Sequence, residues 1–207
     1  MTHRRGTQNI IRVSEVSVKA GDSISIPCLY SSKYTNHVKY LCKGYDWNYC
    51  TFAVRTDQNN SAKFSISDDK IQKIFTVTVN ELTNDDSYYW CAVEINDGAD
   101  DGYRFHLSVT TGKSLQAHSS TSSPLHSQKM YLWCRMGSSC VTQQSGSIDG
   151  TEITINTNVP NVFSVTMRGL KTESSGWYLC VSGNLQFPVR LTVTENKYFC
   201  FTYSFFF

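Results

Sequence analysis

Three things are scarce in this 207-residue chain, and each scarcity excludes something. The first is net charge, since 19 basic against 17 acidic residues leave only +2. A binder of DNA or RNA needs a basic stripe. Residues 12–111 carry 10 basic and 13 acidic groups, and residues 113–195 carry 6 and 4, so no nucleic-acid partner is expected. The second scarcity is long apolar runs. A helical membrane span needs about 20 such residues, and none is present. Residues 1–12 are polar and basic, without the apolar core of a secretory signal, and residues 198–207 are apolar but too short. Membrane anchoring is therefore expected only through sequence absent here. The third is helical periodicity: no stripe at i, i+3, i+4 recurs, so the expected class is all-β. Catalytic signals are equally thin. Of the five histidines, His3, His118 and His126 lie in polar low-complexity stretches, and no motif places a serine and an aspartate around His37 or His106. No enzyme is expected.

Cysteine is abundant instead, with eight residues in strand-like contexts, which points to an oxidising compartment. Residues 85–91 read DDSYYWC, and residues 174–180 repeat the pattern in weaker form as SSGWYLC. Around each copy lie short segments of alternating polarity. Residues 22–28 (DSISIPC), 38–42 (VKYLC) and 73–80 (KIFTVTVN) alternate in the first half, as half-buried strands do. Residues 130–134 (MYLWC), 151–156 and 162–167 do so in the second. Between the halves, residues 114–127 hold seven Ser or Thr among fourteen, the composition of a linker. Cys42 and Cys50 are separated by seven residues and Cys134 and Cys140 by five. Zinc knuckles use two to four, so hairpin-closing disulfides are the better reading.

A Tyr two positions before a Cys resembles the start of strand F in an immunoglobulin domain, where that Cys bridges the two sheets. The resemblance implies a partner on strand B, and Cys28 stands 63 positions before Cys91 in such a strand. The motifs AGDSISIPCLY, KYTNHVKYLCKGYDWNYC, KFSISDDKIQKIFTVTVNEL and DDSYYWCAVEI resemble the variable-type domains of the polymeric immunoglobulin receptor and the related leukocyte mono-immunoglobulin (CMRF35-like) receptors, in a form like that of bony fish. Cys42–Cys50 is the most specific sign, because ordinary variable domains lack that second pair. Two departures stand out. Leu41 occupies the place of the strand C tryptophan, and Ser174 replaces the acidic residue that in the first unit is Asp85, expected to pair with Lys63.

The expected architecture is a variable-type immunoglobulin β-sandwich at 13–111, a linker at 112–128, and a second, incomplete immunoglobulin-like unit at 129–195. The second unit keeps Trp133 and pairs Cys134 with Cys140. It has no strand B cysteine, and the space before Trp133 is too short for strands A and B. Its strand E edge is therefore expected to be open, with 196–207 an aromatic tail. For Cys180 three fates stay open: a free thiol, a bridge to Cys200, or a bridge between chains. The resemblance implies a cell-surface immune receptor, or a secreted form of one, that binds through its B–C and F–G loops. Those loops offer Lys33, Tyr34, Asn36 and His37, and Asn96, Asp97 and Asp100. Two ligand classes follow: an immunoglobulin or other protein, and a phospholipid headgroup with calcium held by the hard oxygens of Asn96 and Asp97. A purely adhesive module is the alternative. Asn59 opens a glycosylation sequon in a predicted loop.

Overall fold

The computed structural model describes residues 11–83, 86–110, 130–160, 162–194 and 201–206. The chain divides into two compact units, one built on Val13–Met130 and the other on Tyr131–Cys180 and Val189–Phe207. The predicted linker, Asp85 and Cys200 lie outside the described residues, and with them the Lys63–Asp85 pair.

The first unit is a two-sheet sandwich. One sheet has the order β1 (Glu15–Lys19), β8 (Asp101–Thr110), β7 (Ser87–Val93), β3 (Lys39–Lys43), β4 (Thr51–Arg55), and the other β2 (Ile24–Leu29), β6 (Ile74–Val79), β5 (Phe64–Asp69). The alternating segments become strands because every second side chain can be buried. In β6, Phe75, Val77 and Val79 are at most 1% exposed while Thr76 and Thr78 face outward. β1 pairs in parallel with β8 rather than with β2. Cys28 and Cys91 bridge the two sheets. Leu41 pairs with Cys91 and is fully buried in the tryptophan's place. Phe75 and Phe105, both about 1% exposed, are the largest apolar side chains fully buried in this unit.

A second, smaller apolar cluster lies on the outer face of the first sheet. There Tyr40, Cys42 and Ala92 are covered by Trp47, Cys50 and Trp90. Asp46 caps the Trp47–Tyr49 turn by accepting the Asn48 N–H at 2.9 Å, which lets the chain double back for Cys42 to bridge Cys50. Trp47 meets Trp90 edge-on at 4.9 Å. It can do so only because residue 102 is glycine, since a Cβ there would lie 2.8 Å from the indole and 2.7 Å from the Cys91 carbonyl.

The second unit sets β10 (Cys140–Val141), β9 (Tyr131–Arg135), β14 (Gly176–Ser182) and β15 (Leu185–Leu191) in one sheet. The other sheet has the order β11 (Ser145–Ile148), β12 (Thr151–Asn156), β13 (Val162–Arg168), β16 (Phe201–Phe206). Trp133 is fully buried and stacks on Tyr178 at 5.3 Å. The Tyr178 hydroxyl donates to the Ser174 carbonyl at 2.8 Å, so the tyrosine corner survives in the weaker copy. Ser174, which stands where Asp85 stands in the first unit, joins its hydroxyl to that of Thr151 at 2.9 Å. Cys134–Cys140 is bonded, and Cys180 is a buried free thiol.

One expectation is corrected here. The edge of β13, the strand E equivalent, is not open, because residues 201–206 lie along it as an antiparallel strand. The aromatic tail alternates Tyr203 and Phe205 with exposed Thr202 and Ser204, a period-two pattern that fits a half-buried strand.

Candidate functional site

The B–C connection leaves β2 at Leu29 and re-enters the sheet at Lys39. Ser32–Tyr34 form one tight turn inside it. Its anchor is Tyr34, which is buried and meets His37 edge-on at 5.4 Å. Lys33 and Asn36 stay exposed. Lys33 lies 4.5 Å over the Tyr34 ring, and contact with Tyr34, with a smaller contribution from the Asp101 charge, holds its ammonium above the ordinary pKa. Asn36 accepts from Lys70 at 3.4 Å.

Under this loop lies a group the sequence reading passed over. Lys39 is completely buried, yet its ammonium is paired with Asp68 at 2.9 Å and donates to the Thr35 carbonyl at 2.9 Å. It also sits 4.3 Å over the Tyr30 ring, and the Tyr30 hydroxyl donates to Asp68 at 2.7 Å. Burial first, then the Asp68 bond, drives the Tyr30 phenol far above its ordinary pKa. The network ties the end of the B–C loop to β3 and β5. Its signal in the sequence is parity, because Lys39 stands two residues before core Leu41 and must point inward.

Beside this network Asn36, His37, Thr56, Asp57, Asp68 and Lys70 line a cleft of about 330 Å³. His37 Nδ1 is buried there without a hydrogen-bond partner. Asp57 is engaged by Arg55 through both guanidinium bonds, at 2.9 and 3.0 Å, which holds its carboxyl below the ordinary range. Arg55 also reaches Glu94 at 2.8 Å.

The F–G loop is built differently. Asn96 and Asp97 are exposed on a turn closed by the Gly98 N–H to the Ile95 carbonyl at 3.2 Å. Asp100 is committed to structure, with one oxygen accepting the Tyr40 hydroxyl at 2.6 Å and the other the Ile95 N–H at 2.8 Å. Among the described residues no group of three His, Cys, Asp or Glu converges as a metal site. Of the predicted set, then, the structure brings Asn36 and His37 into the cleft and leaves Lys33, Asn96 and Asp97 exposed on the loops. Tyr34 and Asp100 serve as supports. Asn59 is exposed in the turn after β4. His106 is no site residue either, because it stacks on Tyr88 at 4.5 Å with Nδ1 at 2.7 Å from Glu15.

Two sheets bridged by Cys28–Cys91, with β1 carried over to β8, agree with the family comparison. Residues 12–110 match the model of the immunoglobulin V-set domain. The chain carries an immunoglobulin V-set domain. The chain is also similar to the CMRF35-like molecules. CMRF35-like molecule 5 of Homo sapiens is 34% identical over 95 residues, which are 44% of this chain and 48% of the relative. CMRF35-like molecule 3 of Mus musculus is 32% identical over 100 residues, 46% of this chain and 40% of the relative. The chain spans about half the length of these curated relatives or less. Among solved structures, the ectodomain of a teleost fish polymeric Ig receptor is 31% identical, covering 88% of this chain and 96% of that one at a TM-score of 0.43.

Proposed function

We propose that this chain is the ligand-binding part of a cell-surface immune receptor of the polymeric immunoglobulin receptor-like type, and that its ligand is a protein of the immunoglobulin class. It binds and does not catalyse. The observation that carries the reading is the B–C end of the V-set domain. Lys33, Asn36 and His37 are presented there on a loop held rigid by buried Tyr34 and Lys39, next to an open polar cleft. A pre-organised loop loses little entropy on binding, and mixed polar groups of both signs suit a protein surface. The basic B–C loop and the acidic, exposed Asn96–Asp97 turn give the two ends of that surface opposite charge. No helix among the described residues is long and apolar enough to cross a membrane.

Surface plasmon resonance of the chain against polymeric immunoglobulin tests this. Binding is expected, weakened about tenfold or more by Lys33→Glu or Asn36→Ala, with Asn96→Ala neutral or weaker in effect. A chain that ignores immunoglobulin but binds phosphatidylserine vesicles only with calcium, and loses that binding in Asn96→Ala or Asp97→Ala, would replace this reading with the lipid-headgroup one.

A further inference from the structure

The strand beside β13 repays comparison with its counterpart in the first unit. Residues 74–82 read IFTVTVNEL and residues 162–170 read VFSVTMRGL, which aligns Phe75 with Phe163, Val77 with Val165 and Thr78 with Thr166. In the first unit strand B (β2) pairs antiparallel with β6 and sets Cys28 opposite Phe75, Ile26 opposite Val77 and Ser25 opposite Thr78. In the second unit β16 pairs antiparallel with β13 and sets Phe205 opposite Phe163, Tyr203 opposite Val165 and Thr202 opposite Thr166. The neighbour, the direction and the register are the same. So is the outward-facing decoration: Ser25 and Thr78 share a hydroxyl bond at 2.9 Å, and Thr202 and Thr166 share one at 3.0 Å. A one-residue slip would have turned every side chain to the wrong face, so the agreement of all these pairs fixes the correspondence.

By that correspondence Phe205 stands where the strand B cysteine stands in the first unit. Cys180, the counterpart of Cys91, has no sulfur to meet. Phe205 meets instead Phe163 at 5.9 Å and Trp133 at 6.3 Å, and Tyr203 meets Trp133 at 6.3 Å. Cys180 is fully buried, and burial pushes its thiol far above the ordinary pKa. A cluster of tilted aromatic rings stands where the first unit has its covalent bridge.

We infer that the edge of β13 is a strand-acceptor site whose ligand is this chain's own segment 201–206. The hexapeptide FTYSFF is a surrogate strand B, arriving after strand G instead of before strand C, so the second unit is a circularly permuted sandwich. The acceptor selects an extended segment with large aromatics at the positions of 203 and 205 and small hydroxyl residues at those of 202 and 204. Backbone pairing gives the affinity and the alternate side chains the selectivity, as in strand addition to a free sheet edge.

The test reads the Cys180 thiol in the full chain carrying Cys200→Ser, with a maleimide at neutral pH and no denaturant. Phe205→Asp puts a charge into the aromatic core, whereas Ser204→Asp puts it on the exposed face. Labelling of Cys180 is expected to be at least tenfold faster in Phe205→Asp and unchanged in Ser204→Asp. Because Phe205→Asp can act by general unfolding, a second arm keeps the full chain with Cys200→Ser and adds Phe205→Cys, which by the correspondence places a thiol where Cys28 stands in the first unit. Mass-spectrometric disulfide mapping is expected to find it bridged to Cys180, whereas Ser204→Cys on the exposed face leaves Cys180 free. Equal protection of Cys180 in wild type and Phe205→Asp, or a free Cys180 in Phe205→Cys, overturns the assignment.

Discussion

The buried Lys39–Asp68 pair makes a sharp quantitative prediction. Asp68→Asn keeps an acceptor for the Tyr30 hydroxyl and removes only the charge. Lys39, with a side chain 0% exposed, then keeps the Thr35 carbonyl and the Tyr30 ring as its remaining partners. Breaking a buried pair from one side costs about 3–5 kcal/mol. Asp68 is 12% exposed and retains Tyr30, so Lys39→Met from the other side costs less, about 1–3 kcal/mol. The double variant Lys39→Met, Asp68→Leu removes both charges and fills the space. It is expected within about 1 kcal/mol of wild type, because apolar replacement of a whole buried pair is often neutral. Hydrogen exchange of the β3 and β7 amides, followed by mass spectrometry, reads this inside the intact chain. Asp68→Asn should speed their exchange by roughly two to three and a half orders of magnitude, at 1.4 kcal/mol per tenfold. If Asp68→Asn costs less than about 1 kcal/mol, or the double variant costs the sum of the singles, the pair does not act as a desolvated unit and the reasoning fails.

Three further outcomes are expected. Gly102→Ala drives a methyl into Trp47 and the Cys91 carbonyl, and should lower the first unit's melting temperature by several degrees, the equivalent of about 1–3 kcal/mol of overpacking. Tyr178→Phe removes the bond to the Ser174 carbonyl and should cost the second unit about 1 kcal/mol, seen as faster exchange in β14 but not in β7. For pH, the folded Asp57 carboxyl titrates below its unfolded value, so its contribution is complete above the unfolded pKa and is lost as pH falls through the folded one. An NMR titration should find the Asp57 midpoint depressed in wild type and returned upward in Arg55→Gln.

What could be read from the sequence follows from what period-two patterns encode. Residues 73–80 could be placed as a strand because burial on one face and solvent on the other leave their mark locally. The spacing of Cys42 and Cys50 likewise betrays a short hairpin. Lys39 was legible in principle, since its parity with Leu41 forces it inward, but its partner Asp68 lies 29 positions away and no local pattern names it. Asp97 and Asp100 look alike as loop carboxylates. Only the three-dimensional position of the Tyr40 hydroxyl and the Ile95 amide separates the exposed one from the committed one. Residues 201–206 carried the alternation of a strand all along. The vacancy at β13 was legible too, from the missing strands A and B; what no local pattern names is that residues 201–206 fill it, because that pairing exists only once the sheet is assembled.

The permuted order has a consequence for how the protein is made. In the first unit β2 is already synthesised when β6 emerges, so the edge of β6 finds its neighbour at once. In the second unit β13 ends at Arg168 and its neighbour begins at Phe201, 33 positions later. At ribosomal speeds of about 5–20 residues per second that gap lasts roughly 2–7 s. During it a bare hydrophobic strand edge, with Phe163, Val165 and Met167 beneath it, waits in a crowded compartment. The nascent second unit thus carries β13 with one edge uncovered for that interval, whereas β6 emerges with both of its neighbours, β2 and β5, already synthesised.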